Sequence, residues 1–168
     1  CLLYACDKLS TVTIPSGVTS IGKQAFLGCE AMKSITIPDS VTIIGQSAFN
    51  SCILLEQIVI PSGVKSLGVG MFGYCQSLRT ITLPSGLTEI GSSAFYECTA
   101  LTTIMIPKSV TVVSNCAFAG CIRLTINCEA GSQPAGWGEA WNTSNCPVVW
   151  GSEHLSSHRV RNLPAVAP

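Results

Sequence analysis

The chain has 168 residues, of which 47% are hydrophobic and only 11% are charged. Lysine plus arginine equals aspartate plus glutamate at nine each, so the charge favours neither nucleic acid nor an anionic membrane surface as a partner. No apolar run approaches the roughly 18 to 20 residues that span a bilayer, so no membrane insertion is predicted.

The predicted elements repeat with a period of 23 residues, which is clearest in the unit from Leu78 to Ala100. Cysteine, proline and phenylalanine recur on this period. The positions are Cys6, Cys29, Cys52, Cys75, Cys98 and Cys121; Pro15, Pro38, Pro61, Pro84 and Pro107; and Phe26, Phe49, Phe72, Phe95 and Phe118. Self-similarity at a fixed period of this length indicates a solenoid, in which each coil packs only on its neighbours.

The chain begins in the middle of a coil. Residues 1–6 align with residues 24–29, so the first coil is predicted to have a back half and no strand, and any upstream segment is expected to be missing. Its upper face should therefore expose core residues. Five complete coils are predicted to follow, beginning at Leu9, Met32, Leu55, Leu78 and Leu101.

Each complete coil is predicted to open with a short parallel strand on the concave face. The pattern LxxIxIP puts alternate residues such as Ile81 and Leu83 on one face, and β-branched residues favour a strand. The following proline ends the strand because it cannot donate to the ladder. After a second bend at glycine, AFxxC is predicted to form a short helical or 3-10 turn on the convex face. The predicted fold class is an α/β-type repeat solenoid.

The C-terminal part departs from the repeat. The sixth strand, Leu124 to Cys128, is one residue shorter, and Val148 and Trp150 lie 22 residues after Ile126 and Cys128, which predicts a final strand. Trp137 and Trp141, at helical spacing, indicate a hydrophobic cap or, alternatively, an aromatic platform for carbohydrate. The predicted domains are a solenoid at 1–128 (a partial coil, five full coils and a shortened one), a capping coil at 129–151 and a flexible tail at 152–168.

Ten cysteines in a chain of this length would usually indicate a disulfide framework, but six of them occupy one position in successive coils. Side chains stacked in register about 4.8 Å apart run side by side, which favours free, buried thiols. A bridge between Cys128 and Cys146 remains open. The sequence has no CxxC, and His154 with His158 provides only half of a metal site's spacing, so no metal or cofactor is predicted.

The repeat unit carries a family resemblance. The segment from Met32 to Cys52, MKSITIPDSVTIIGQSAFNSC, resembles the BspA-like, Treponema-type leucine-rich repeats of bacterial surface proteins and of some mucosal protists, over Cys1 to about Cys128. The resemblance implies an extracellular or cell-surface location and a protein-binding or adhesive role. The implied partners are host extracellular-matrix or cell-surface proteins, and no catalytic residues are implied.

The outward residues of the predicted strands form the candidate partner-binding site, a hydroxyl-rich strip with no charged residue. They are Thr11, Thr13, Ser34, Thr36, Gln57, Thr80, Thr82, Thr103 and Met105. No tyrosine or tryptophan projects from this strip, so it lacks a stacking platform for sugars or single-stranded nucleic acid. We expect a non-enzymatic protein-binding module. The alternative is a structural spacer, in which each threonine is simply a good exposed strand residue.

Overall fold

Short parallel strands form the successive coils in a computed structural model whose described part covers residues 6–153. The strands of this part are β1 (Ser20–Ile21), β2 (Ile43–Ile44), β3 (Gln57–Val59), β4 (Ser66–Leu67), β5 (Thr80–Thr82), β6 (Glu89–Ile90), β7 (Thr103–Ile106), β8 (Val112–Val113), β9 (Thr125–Cys128) and β10 (Val148–Trp150). The predicted half coil at residues 1–5 and the predicted tail from residue 154 lie outside the described residues.

The predicted strands form a front ladder, which consists of the sheets β3–β5 and β7–β9–β10 and two isolated bridges before them. Pairing is parallel, and Ile58 lies beside Ile81, one 23-residue period later. The shortened sixth strand changes this offset, since Ile104 pairs with Ile126. The predicted final strand is present as β10, with Val148 beside Ile126 and Trp150 beside Cys128.

A second ladder, which the sequence pattern did not predict, runs through β1–β2 and β4–β6–β8. Its strands are the last two residues before the glycine bend in the VTxIG segment of each coil. In β2, Ile43 is exposed and Ile44 is buried, and the other strands of this ladder alternate in the same way. Two residues are too few for alternation to identify a strand, because that signal needs about four to eight positions.

The predicted helical turns are wrong, and with them the α/β-type class, because residues 6–153 contain neither α-helix nor 3-10 helix. The AFxxC segment instead alternates two kinds of backbone hydrogen bond. Gln24 and Phe26 donate to carbonyls of the next coil, at 2.9 and 2.8 Å, whereas Ala25 and Leu27 each donate to the residue three positions earlier, at 3.3 Å. Every second N–H is therefore used between coils, and the fold is a parallel-strand β-solenoid.

The backbone conformation of these turns explains why no helix forms. Positive φ recurs at two positions of each coil: at Gln24, Ser47, Gly70, Ser93 and Cys116, and at Gly28, Ser51, Tyr74, Glu97 and Gly120. A left-handed residue interrupts the right-handed helical path. Most of these positions carry a residue other than glycine, so the left-handed turn could not be recognised from a glycine pattern.

The core is a single stack of rings and thiols running along the coils. Phe26, Phe49, Phe72, Phe95 and Phe118 stack in order with ring centroids 5.3 to 5.6 Å apart. Trp141 continues the stack edge to face, with its ring centroid 6.1 Å from that of Phe118. Trp137 packs edge to face on Trp141 in turn, with ring centroids 4.7 Å apart. Both tryptophans are only 6% exposed, so they close the stack as a hydrophobic cap and offer no platform to solvent.

The ladder cysteines alternate with the phenylalanines in this core. Cys128 and Cys146 are both free thiols, so the alternative bridge between those two is not formed. The thiol of Cys52 donates to the Phe26 carbonyl at 3.2 Å, and that of Cys75 donates to the Phe49 carbonyl at 3.1 Å. The thiols of Cys98 and Cys121 donate in the same way to the carbonyls of Phe72 and Phe95 in the preceding coils.

Candidate partner-binding surface

Eight of the nine predicted site residues belong to the outward side of the front ladder, and Thr11 lies just before its first bridge, at Thr13. Eight of the nine are exposed, and Met105 is half-buried. Strand alternation causes this arrangement, because the residues between them, such as Ile58, Ile81 and Ile104, are buried in the core. We call these nine residues the strip.

The ladder register brings strip residues of successive coils into contact distance. Ser34 is bridged to Gln57, and Gln57 is paired with Thr80. Thr13 is bridged to Thr36 in the same way. Side chains directly opposite each other on neighbouring strands lie about 4.5 to 5.5 Å apart, so these residues form continuous columns across coils.

Five strip residues line one open hollow of about 600 Å³ on the sheet face: Ser34, Thr36, Gln57, Thr80 and Thr82. Val59, which is 63% exposed, and Asp39 also line it, together with the apolar residues Ile35, Ile37, Pro38 and Ile58. Asp39 was missed because it occupies the turn after the strand, where most coils carry serine. The hollow spans three coils and is therefore the part of the strip best shaped to receive a convex partner.

The structure does not bring every strip residue into this hollow. Met105 lines a smaller depression with Thr82 and Glu129. The hydroxyl of Thr103 accepts a hydrogen bond from Asn127 Nδ2 at 2.9 Å, so it already has a partner within the chain. Asn127 and Glu129 were missed because they lie in and just after the shortened sixth strand, where the period changes.

Charge lies beside the strip rather than on it. Lys33, Glu56 and Arg79 are exposed and occupy the same position in three successive coils. Their backbones are joined, since Glu56 N–H donates to the Lys33 carbonyl at 3.0 Å and Arg79 N–H to the Glu56 carbonyl at 2.9 Å. The column alternates in sign, so its two cations and one anion leave a net charge of only +1 beside the strip.

The thiols are unsuited to nucleophilic chemistry. Burial, reinforced by the neighbouring Cys29, raises the pKa of Cys52 to about 12. Burial also raises the pKa of Cys128 to about 12 and that of Cys75 well above its ordinary value of 9.0. Because the thiolate is the nucleophile and metal ligand, these cysteines are held in their unreactive form at neutral pH.

Residues 6–153 contain no group of three histidine, cysteine, aspartate or glutamate side chains able to hold a metal ion. His154 and His158 lie outside the described residues. The same range contains no helical segment with the length and hydrophobicity of a membrane span.

Comparison with known proteins supports the repeat assignment. The family described as BspA type leucine rich repeat region matches residues 2–125 in six copies. A leucine-rich cell surface protein from Faecalibacterium prausnitzii is 46% identical with a TM-score of 0.70, over 79% of this chain and 36% of that one. The leucine-rich repeat protein of Treponema pallidum is 33% identical with a TM-score of 0.64, over 66% and 52%.

A leucine-rich repeat protein from Bacteroides ovatus has a TM-score of 0.71 and 29% identity, over 80% of this chain and 40% of that one. No curated protein matches the chain significantly. The chain spans 36% to 52% of the length of these three solved proteins.

Proposed function

The chain belongs to the family of BspA-type leucine-rich repeat proteins, and on that premise we propose that its coils form a non-enzymatic protein-binding module of a secreted or cell-surface protein. Solenoids of stacked repeats present extended surfaces that suit a macromolecular partner better than a small molecule. The similar protein from Faecalibacterium prausnitzii is described as a cell surface protein, which supports the same location for this chain.

The observation that carries the proposal is the hollow on the sheet face. Its polar lining consists of hydroxyl and amide side chains on three successive coils and one carboxylate, Asp39, and it also contains one exposed aliphatic residue, Val59. Uncharged polar groups cost less to desolvate than charged ones, so a protein surface can cover them without ion pairing. A partner that presents hydrogen-bonding groups and a small apolar contact fits this chemistry.

The proposed partner is a host extracellular-matrix or cell-surface protein, and binding to it would make the module adhesive. Because the strip is uncharged and its flanking column alternates in sign, the affinity should depend little on ionic strength. Binding to purified extracellular-matrix proteins, measured by surface plasmon resonance at about 0.05 and about 0.5 M salt, should change less than about twofold.

The second candidate is a structural spacer that only projects another domain. It is favoured by the threonines of the strip, since threonine is a good residue for any exposed strand. It is also favoured by Thr103, whose hydroxyl is bonded within the chain. A chain that binds none of the matrix proteins at any salt concentration would support the spacer and contradict the binding module.

A further inference from the structure

A second hollow lies on the turn side of the coils, away from the strip. It measures about 280 Å³ and is lined by Asn50, Gly70, Gly73, Tyr74, Ser93 and Tyr96. We call it the tyrosine hollow. None of its lining residues belongs to the front ladder, and none was selected from the sequence.

Two glycines in one coil create the tyrosine hollow. Gly70 and Gly73 take the places that Ser47 and Asn50 have in the preceding coil and that Ser93 and Tyr96 have in the following coil. A Cβ atom on Gly73 would lie 2.6 Å from Asn50 Nδ2, and one on Gly70 would lie 3.3 Å from Ser47 Oγ. The Asn50 amide therefore occupies the space beside Gly73, and the hollow is what remains open between this amide and the rings of Tyr74 and Tyr96.

The walls combine aromatic rings with fixed hydrogen-bonding groups. Tyr74 and Tyr96 meet edge to face with centroids 5.3 Å apart, and Tyr74 is 45% exposed. The amide of Asn50 is held in place because its Nδ2 donates to the Gly70 carbonyl at 3.1 Å and its Oδ1 accepts from Ser51 Oγ at 2.9 Å. A side-chain amide has two N–H groups and two oxygen lone pairs, so Asn50 keeps further bonding positions.

We propose that the tyrosine hollow binds a single ring of a neutral carbohydrate. A sugar ring presents C–H groups on its faces, which pack on aromatic rings, and hydroxyl groups at its rim, which bond to amides and hydroxyls. Asn50, Ser93 and the two tyrosine hydroxyls supply these partners next to the rings. The volume lies just below the roughly 300 to 1,000 Å³ typical of small-molecule sites, so one ring fits and a longer ligand must extend into solvent.

The lining also selects against other ligands. It contains no charged side chain, so nothing in it compensates the charge of a phosphate or an acidic sugar. The surrounding coil turns leave it open to solvent on the side of Tyr74, where the rest of a glycan would project. This site is independent of the protein partner proposed for the strip, and the two bind without overlap.

The test uses methyl glycosides of glucose, galactose, mannose and N-acetylglucosamine, titrated into the protein while the ring NMR signals of Tyr74 and Tyr96 are followed. At least one glycoside should shift both signals saturably with a Kd of about 1 to 10 mM, as expected for a single-ring ligand. Gly73→Ala, which adds the methyl group that Ala119 carries two coils later, should weaken this binding at least about fivefold.

A second variant keeps the test decisive should Gly73→Ala fail to fold. Tyr74→Ser introduces serine, which the preceding coil already has at the equivalent position, Ser51. The two positions have nearly the same left-handed backbone, with φ of 59° at Ser51 and 61° at Tyr74, so the variant should fold. It should weaken binding to a similar degree. The control is Ile122→Ala, which changes an exposed side chain outside the hollow and should leave binding unchanged. If no glycoside shifts the tyrosine signals, if both variants bind as the parent does, or if only a proline-rich peptide occupies the hollow, the carbohydrate assignment is overturned.

Discussion

Phe49 and Phe72 stack across neighbouring coils with ring centroids 5.6 Å apart and ring planes inclined by only 6°. The two rings are fully buried and lie one repeat period apart. Each coil therefore completes its core only with rings from the coils above and below, which is the source of cooperativity in a solenoid.

Truncation of a central ring should destabilise the protein severely. Phe72→Ala removes a ring that stacks on Phe49 and Phe95, and it should lower the free energy of unfolding by about 3 to 5 kcal/mol. Phe26→Ala should cost less, because Phe26 is slightly exposed and Phe49 is its one ring partner among residues 6–153. Denaturant unfolding of both variants measures the two losses in free energy of unfolding. Equal losses at the two sites would contradict nearest-neighbour coupling along the stack.

Thiol accessibility should change sharply on unfolding. Because burial and S–H hydrogen bonds protect the ladder, a thiol reagent should modify few cysteines of the native protein and most of the ten after denaturation without reductant. Absorbance of the released chromophore gives the count. Four or fewer free thiols in the denatured, unreduced protein would show that the cysteines are paired.

The buried thiols also predict a loss of stability at alkaline pH. The pKa of Cys52 is raised from 9.0 to about 12 on folding, so the unfolded chain releases this proton at lower pH than the folded chain does. The contribution of the protonated Cys52 thiol to folding stability is therefore fully present below about pH 9 and is lost as the pH rises towards 12. Denaturant unfolding between pH 7 and pH 10, a range that ends about one pH unit above the ordinary pKa of the thiol, measures it.

Cys52→Ala provides the control for this titration. Above pH 9, the free energy of unfolding of the variant should fall less steeply with pH than that of the parent. The difference should be at most about 1.4 kcal/mol per pH unit. An unchanged slope would mean that Cys52 does not contribute to the alkaline transition.

Replacing a glycine in one of the left-handed turns should change stability in the opposite direction from the same replacement in a helix. Gly70 has φ of 59°, and a Cβ there would lie 3.3 Å from Ser47 Oγ, so Gly70→Ala should destabilise the protein by about 1 to 2 kcal/mol. In a helical turn the same change would stabilise by about 1 kcal/mol. Gly17→Ala is the control, since a Cβ at Gly17 meets no atom within 4 Å, and it should be neutral or slightly stabilising. A stabilising Gly70→Ala would restore the helical prediction.

Much of the fold follows from the sequence because the period places the same residue types at the same point of every coil. The front strands, the phenylalanine stack and the outward position of residues such as Thr80 need only alternation and register. The turn conformation does not follow, because residues such as Ser47 and Tyr74 adopt positive φ under the control of hydrogen bonds to the next coil. Such bonds join distant residues and leave no local pattern.

The two hollows could likewise be predicted only in part from the sequence. The exposure of the strip could be predicted from alternation within one strand. The tyrosine hollow depends on Gly73 having no side chain where Asn50 and Tyr96 of the adjoining coils do have one. That comparison requires knowing which residues of different coils are neighbours, and the hollow becomes visible only when the coils are stacked.

The central claim, that the strip binds a protein partner, is tested most directly by placing charge in the hollow. Ser34, Thr80 and Thr82 are exposed, so the variant with all three replaced by lysine should lose at most about 0.5 kcal/mol of stability per site. Desolvating three unpaired ammonium groups should nevertheless weaken binding to the matrix protein captured by the parent at least about tenfold, or about 1.4 kcal/mol.

The matched control carries three lysines at Ser20, Ser66 and Thr111, which are exposed residues outside the strip. The decisive measurement is the Kd of both folded triple variants for the same matrix protein by surface plasmon resonance. The account predicts that the strip variant loses at least about tenfold in affinity while the control changes less than about twofold. If the strip variant binds as tightly as the control, the strip is not the binding surface, and the central claim is contradicted.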